Sequence, residues 1–306
     1  MNDKIHQGLS KKVVRAKFKG RKRIRSRYAP RYPSTAEREY RRMNRAYART
    51  LRRPVKKQLS VVMKAYRRQV RSDAREDGIF DFIALVHEAV MSIATEISLA
   101  LEEMRLREQI EKFARMVQKR SATEWIASVR AVFGIELVPP SYEGDNYEQV
   151  IQQWIAKNLA YLEGVPTETL LSIEAVIGSA YRERMDPDEL EARLQRQLDA
   201  TTSRVEYSAR NGVSSLNAEL MKMYQKESGV NLYVWKSAGD ASVRDCHAAY
   251  DGHIFSWDDP PEDWYYTKSM GRVYTGERFN PGEAYGCRCC AVPVFERDTF
   301  DMGEEK

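Results

Sequence analysis

The sequence has little cysteine and little histidine, four of each in 306 residues. It also lacks an uninterrupted run of about 18 apolar residues, so no transmembrane helix is expected. The opening stretch, MNDKIHQGLSKKVVRAKFKG, carries charges without an apolar core. No secretory signal is therefore expected, and we expect folding in a reducing cytoplasm. Cysteines in that compartment are more often metal ligands, buried apolar groups or redox groups than structural disulfides.

Acidic residues are scarce at the start of the chain. Residues 1–72 contain 25 lysines and arginines but three acids, a net charge of +22, while the remainder carries −16. Residues 1–33 lack a clear apolar period, which predicts an extended basic arm that binds nucleic acid or an acidic protein surface. The basic residues expected to make this contact are Lys11, Lys12, Arg15, Lys17, Lys19, Arg21, Lys22, Arg23, Arg25, Arg27 and Arg31.

Helical periodicity dominates the next two hundred residues. A helix is predicted from Ser34, with Pro54 expected to break or kink it. A longer helix is predicted after Gly78, because apolar residues recur at spacings of three and four. Further helices are predicted from Ser121 to Gly134, 147–162, 167–183, from Pro187, and from Ser203 toward Gly229.

The last quarter has a different texture. GVNLYVWKSA alternates and is rich in strand-forming residues, and short strands are also predicted at 253–255, at 272–274 and in RCCAVPVF. The predicted fold is mostly α in the N-terminal and middle regions, with a small C-terminal α+β domain and an extended basic N-terminal arm. The predicted divisions are 1–33 (arm), 34–146 (helical assembly region), 147–229 (helical), 230–297 (α+β) and 298–306 (loose tail).

All four cysteines lie in this last quarter. In a strand, Cys287 and Cys289 would point to one face and Cys290 to the other. The closing strand is expected to bring the first two thiols near His247, with Cys246 beside it. The predicted metal ligands are His247, Cys287, Cys289 and Cys246, and zinc suits such a set, with His253, Asp240, Asp251 or water as a further ligand. Packing in a small core, or a disulfide, remains the alternative.

The same segments carry a resemblance to a known family. GVNLYVWKSAGDASVRDCHAAYDGHIF and NPGEAYGCRCCAVPV resemble the Mu F-like head morphogenesis domain of tailed-phage minor head proteins. Upstream, SRVEYSARNGVSSLNAEL is similar to a helix of that family, although Asn211-Gly212 stands where the family usually has Thr-Glu. The residues that match its pattern structurally are Trp235, Asp240, Arg244, Gly252, Arg288, Arg210 and Asn217. The similarity extends over roughly residues 147–295.

The resemblance implies a structural protein, not an enzyme, with no catalytic residues. It implies a minor capsid protein in the virion head near the portal vertex, assembled in the host cytoplasm. The partners it implies are the portal protein, the major capsid or scaffolding protein, and packaged double-stranded DNA through the basic arm, with no membrane.

Two alternatives compete with this interpretation. The first is a metal-dependent nuclease or effector delivered with the genome, in which His247 or a metal-bound water acts as base. No Gly-x-Ser-x-Gly, phosphate loop or paired-histidine motif supports a particular reaction. The second is a nucleic-acid-binding protein with a zinc-finger-like unit, which the Cys-x-Cys-Cys spacing fits poorly.

Overall fold

The computed structural model describes residues 16–71, 79–134 and 145–301. Its long helices are α1 (Ser34–Arg71), α2 (Ile79–Glu103), α3 (Leu106–Phe133), α4 (Asp145–Glu183) and α5 (Pro187–Glu227), and its short helices are α6 (Asp245–Tyr250) and α7 (Arg297–Asp301). The strands are β1 (Arg23–Arg25), β2 (Leu232–Lys236), β3 (Ile254–Ser256), β4 (Glu262–Thr267), β5 (Gly271–Arg278) and β6 (Cys290–Glu296). Helix makes up 68% of the structure, and all strands except β1 lie in the C-terminal region, which confirms the predicted fold class.

Two helices run through prolines where the sequence predicted a boundary. Pro54 lies inside α1 and Pro166 inside α4, so a break at Pro54 and the division of α4 into two helices are wrong. A proline inside a helix removes one N–H donor and crowds the preceding turn, at about 3 kcal/mol. The apolar residues that follow or precede these prolines, Val55 and Val165, are almost fully buried, and burial of the continuous apolar face offsets that cost.

Neither Ser121 nor Ser203 begins a helix, although the sequence predicts a helix start at each. Ser121 lies inside α3 and is fully buried; its hydroxyl shares its one proton between the Val117 carbonyl at 2.9 Å and Asn217 Oδ1 at 2.8 Å. Ser203 lies inside α5. The long apolar stripe predicted after Gly78 is divided between α2 and α3. The two helices are separated at Met104–Arg105, because Arg105 takes a left-handed backbone with φ 48°. Local cap patterns are therefore overridden by packing along the flanking helices.

The chain divides into two compact units. The second unit comprises Arg38–Lys112 and Ile155–Ala209, and within its described residues it is helical. Its core holds the stripe predicted for α1, with Tyr40 and Tyr47 buried. The buried Tyr66 hydroxyl hydrogen-bonds to the helix backbone. It lies 3.0 Å from the Ala180 carbonyl oxygen and 2.8 Å from the Met185 carbonyl oxygen.

Helix α2 belongs to this second unit and is unusually apolar. Its segment Asp81–Glu103 has a mean hydropathy of 1.5 over the best window and is long enough to cross a membrane, by length and composition alone. Only 28% of that window is buried inside the protein. The core helix of a soluble protein passes the same test of length and composition, so this feature by itself does not indicate a membrane.

The first unit comprises Met1–Glu37, Phe113–Trp154 and Arg210–Lys306, and contains both sheets. One sheet has the order β1-β6-β2-β3 with antiparallel pairs, and β4 and β5 form a separate hairpin. Strand β6 is buried along nearly its whole length because it lies between two neighbours. The register sets Trp235 opposite Ala291 and Lys236 opposite Cys290, so the end of β2 meets the start of β6.

The described part of residues 1–33 does not form the predicted extended arm. Arg23–Arg25 make strand β1, which pairs with Val294–Glu296 of β6, and Arg23 Nε donates to Glu296 Oε1 at 2.9 Å. Phe18 is fully buried and lies 6.5 Å from the Phe133 ring. Without β1, one edge of β6 would have unpaired backbone groups, and β1 binds along that edge. The apolar side chains of Phe18 and Ile24 stabilise the docked segment between its basic residues. Residues 1–15 lie outside the described part of the chain.

Candidate functional site

Two segments forty residues apart supply a buried cluster of one imidazole and two thiols. Helix α6 places His247 inside the domain, and the turn before β6 places Cys287 and Cys289 beside it. His247 Nδ1 lies 3.5 Å from the Cys287 sulfur and 3.7 Å from the Cys289 sulfur. All three side chains are buried. The predicted return of the last strand to the histidine segment is therefore confirmed.

The electrostatics of this cluster separate its two thiols. A hydrogen bond from Cys289, and after it one with His247, lowers the pKa of Cys287 below its ordinary value. The same hydrogen bond with Cys287, together with burial, raises the pKa of Cys289. The backbone N–H of Cys289 also points to the Cys287 sulfur at 3.4 Å. The hydrogen bond between the two thiols therefore shifts their pKa values in opposite directions.

The other side of the imidazole faces a carboxylate. His247 Nε2 lies 3.9 Å from Asp263 Oδ1, and the Cys246 thiol donates to that same oxygen at 2.7 Å. Burial, and then the hydrogen bond to Asp263, raise the pKa of Cys246 to about 11, so this thiol stays protonated. Cys246 thus lies in a second group with His247 and Asp263, and not with the other two thiols.

Asp263 was missed by the sequence analysis. It begins the aromatic stretch DWYY of β4, and an acid beside Trp264 is the one signal that the sequence offered. Among the described residues, His253, Asp240 and Asp251 do not join either cluster. His253 is exposed, Asp240 pairs with Arg288, and Asp251 accepts the Ser237 N–H at 2.6 Å.

Cys290 lies apart from the cluster, as the alternation of a strand predicts. Its sulfur lies 3.9 Å from the Arg288 carbonyl oxygen, and burial raises the pKa of Cys290 to about 12. This thiol therefore behaves as a small apolar side chain on the other face of β6.

The family-motif residues of the last quarter surround the cluster and close its loops. The Trp235 ring lies 4.9 Å from the His247 ring. Gly252 has φ +83°, a conformation that favours glycine, and its N–H donates to the Trp235 carbonyl at 2.8 Å. Arg288 donates to Asp240, and Arg244 Nη2 donates to the Tyr285 carbonyl at 2.8 Å. The two arginines therefore tie the segment after β2 to the turn before β6.

The motif residues on α5 have structural roles as well. Arg210 Nε donates to Glu37 Oε1 at 3.1 Å, and Asn217 accepts from the buried Ser121. Asn211, where the sequence departs from the usual family pattern, accepts the Gly286 N–H at 3.1 Å. Gly212 is tolerated in the helix, where its carbonyl accepts the Trp154 indole N–H at 2.8 Å. Helix α5 is thus bonded directly to the turn that carries Cys287.

A further buried polar link was also missed. Gln225 is fully buried; its amide donates to the Ala291 carbonyl at 3.3 Å and accepts the Trp257 indole N–H at 3.2 Å. A glutamine near the end of a long helix carries no recognisable signal in a single sequence. Its position shows that the end of α5 and the start of β6 form one rigid frame around the cluster.

The basic segment makes a second candidate surface. Although β1 is docked, the basic side chains along it stay exposed: Lys17, Lys19, Arg21, Lys22, Arg23, Arg25, Arg27 and Arg31. Ser26 and Pro30 are buried between them, so the backbone is held while the charges point to solvent. Lys11, Lys12 and Arg15, which belong to the same prediction, lie outside the described residues.

Comparison with known proteins agrees with the resemblance. The profile of the family described as "Phage Mu protein F like protein" matches residues 174–292. An uncharacterised protein of Haemophilus influenzae (strain ATCC 51907 / DSM 11121 / KW20 / Rd) is 27% identical over 166 residues, which cover 54% of this chain. The match spans about a third (34%) of that relative's length. No solved structure matches.

The matched residues include all of α5, strands β2 to β5, the start of β6 and all three cluster side chains. They therefore contain the hydrogen bonds from Arg288 to Asp240 and from Arg244 to the Tyr285 carbonyl, which join the segment after β2 to the turn before β6. Over residues 174–292, the family match supports the resemblance to the phage Mu F-like family that the sequence motifs indicate.

Proposed function

We propose that the protein is a minor capsid or head morphogenesis protein of a tailed phage. In this proposal it is a structural, non-enzymatic component of the virion head near the portal vertex. The observation that carries the proposal is the family match over residues 174–292, whose motif residues close a rigid domain. The N-terminal half adds the surfaces that bind neighbours.

The basic segment supports a role beside the packaged genome. Its exposed cations lie along a segment that is anchored by the pairing of β1 with β6 and by buried Phe18. A pre-ordered row of cations binds polyphosphate without the entropy cost of ordering a free tail. Such contacts are to the DNA backbone and are independent of sequence.

Helix α2 supports a protein contact within the head. Its side chains Ile83, Met91 and Leu99 are apolar and more than half exposed, and Leu171 of α4 is similarly exposed. Beside Ile83 and Leu171 lies an open groove of about 610 Å³. An exposed apolar face of this size is typical of a surface that another protein covers. We assign it to the portal or a capsid protein.

The nuclease or effector alternative gains no support from the cluster's accessibility. His247, Cys287 and Cys289 are 3–6% exposed. A base or a nucleophile must come within hydrogen-bond reach of the substrate atoms on which it acts. We therefore retain a structural role for this cluster.

The proposal is tested genetically in the phage or prophage that encodes the chain. A premature stop codon in the gene is expected to lower the yield of infectious particles while tails still assemble, as seen by electron microscopy. Expression of the full chain in trans should restore infectivity. Normal titre and normal heads without the protein would contradict the proposal.

A further inference from the structure

The cluster formed by His247, Cys287 and Cys289 has the composition and spacing of a metal site. Each residue offers one ligand atom, and these atoms all lie within 4.8 Å of one another. We infer that the His247 Nδ1 and the two sulfurs bind one Zn²⁺ ion that holds helix α6 against the turn before β6. The inference is independent of the proposed role in the phage head.

The measured distances agree with tetrahedral zinc geometry. Zinc binds cysteine sulfur at about 2.3 Å and histidine nitrogen at about 2.0–2.1 Å, and tetrahedral angles then place sulfur and nitrogen about 3.6 Å apart. The two observed separations are 3.5 and 3.7 Å. One central ion accounts for both.

A backbone N–H group faces one of the two sulfurs. The Cys289 N–H lies 3.4 Å from the Cys287 sulfur. The buried indole N–H of Trp235 has no hydrogen-bond partner among the described residues. N–H groups directed at sulfur stabilise negative charge there. Soft thiolates with one imidazole are the ligands that zinc prefers.

Asp263 completes the arrangement from behind the histidine. A histidine that binds metal through one nitrogen usually donates its other N–H to a carboxylate, which fixes the tautomer. His247 Nε2 lies 3.9 Å from Asp263 Oδ1, while the Cys246 thiol donates to that oxygen. Cys246 is therefore placed as a partner of Asp263 and not as a zinc ligand. Three protein ligands leave the fourth position to water or another small ligand.

Such an ion would add a cross-link between α6 and the turn before β6. His247 and Cys287 are forty residues apart, and the intervening chain contains β3 and the β4–β5 hairpin. Binding a metal to the folded chain alone stabilises it by mass action. The ion would thus close the loop of chain that contains the hairpin.

The first experiment measures metal in the full-length protein, purified under reducing conditions from zinc-supplemented culture. Elemental analysis should find about one zinc per chain. Replacement of Cys287 by serine (C287S) should remove it, whereas C290S, a buried cysteine outside the cluster, should keep it. No zinc in the wild type, or equal loss in both variants, would overturn the inference.

The second experiment does not depend on how well a ligand variant folds. Chelator-treated wild-type chain is titrated with Zn²⁺, and with Co²⁺ as a spectroscopic probe of thiolate ligation. Asp263→Asn should weaken zinc affinity about 10–100-fold, the usual effect of removing such a carboxylate partner. Asp259→Asn, a mostly exposed acid paired with Arg278, is the matched control and should leave affinity unchanged. Failure of the metal-free chain to bind either ion, with its circular dichroism intact, would refute the site.

Discussion

The docked basic segment makes a quantitative prediction about DNA binding. Eight described cations along residues 16–31 are exposed, and one of them, Arg23, pairs with Glu296. If the other seven neutralise phosphates, the logarithm of the association constant should fall with the logarithm of salt concentration with a slope of about −6. Affinity should then drop about 10³-fold or more between 50 and 200 mM salt.

A variant with four of these cations replaced by glutamine, at Lys17, Arg21, Lys22 and Arg25, tests the assignment. Each lost phosphate contact reduces the salt slope by about one, so the slope should become less steep by about 3.6. Fluorescence anisotropy with a duplex of arbitrary sequence measures it. The control replaces four exposed cations elsewhere: Arg107, Lys112, Lys157 and Arg196. Equal slopes in the two variants would refute the contact, and so would binding that is insensitive to salt.

Three further predictions concern stability. Phe18→Ala should destabilise the docked basic segment by about 3–5 kcal/mol, because the ring is fully buried beside Phe133. Trypsin should then cleave this segment faster, as gel analysis would show. Unchanged cleavage would contradict docking of the segment against the sheet. Gly282→Ala should lower the midpoint of thermal unfolding by a few degrees, because φ is +90° and an added Cβ would lie 3.0 Å from Ala218 Cβ; an unchanged midpoint would show that the turn relaxes freely. Two hydrogen bonds from Arg115 lower the pKa of Glu148 to about 2, so the stability that this ion pair contributes is present above pH about 4.5 and is lost as the pH falls toward 2. In urea titrations, Glu148→Gln should be less stable than wild type by under about 1 kcal/mol at pH 7 and equal to it at pH 2. A difference that persists at pH 2 would contradict the ion pair.

The sequence predicts the elements better than it predicts their ends. The apolar stripe of α1 and the alternation of β2 depend on residues whose burial follows directly from periodicity. The ends of the helices depend on tertiary contacts that a single sequence does not show. Ser121 hydrogen-bonds to Asn217 inside α3 instead of capping a helix, and α1 continues through Pro54 because Val55 is buried. Strand β1 was missed because its three residues, RIR, make sense only beside β6.

The candidate site shows the same division. His247, Cys287 and Cys289 are recognisable because histidine and cysteine are rare in this chain and concentrated near its end. Asp263 and Gln225 are not recognisable, because acids and amides are common and their roles arise from placement alone. The separation of Cys246 from the other thiols likewise required the fold, since neighbours on a six-residue helix point to different partners.

The most direct test of the proposed role is the abundance of the protein in purified, DNA-filled heads. Quantitative mass spectrometry of virions should find the chain at a fixed ratio to the portal protein, and at the same ratio in portal-containing assembly intermediates. Its absence from both particles, with the portal protein present, would contradict the account.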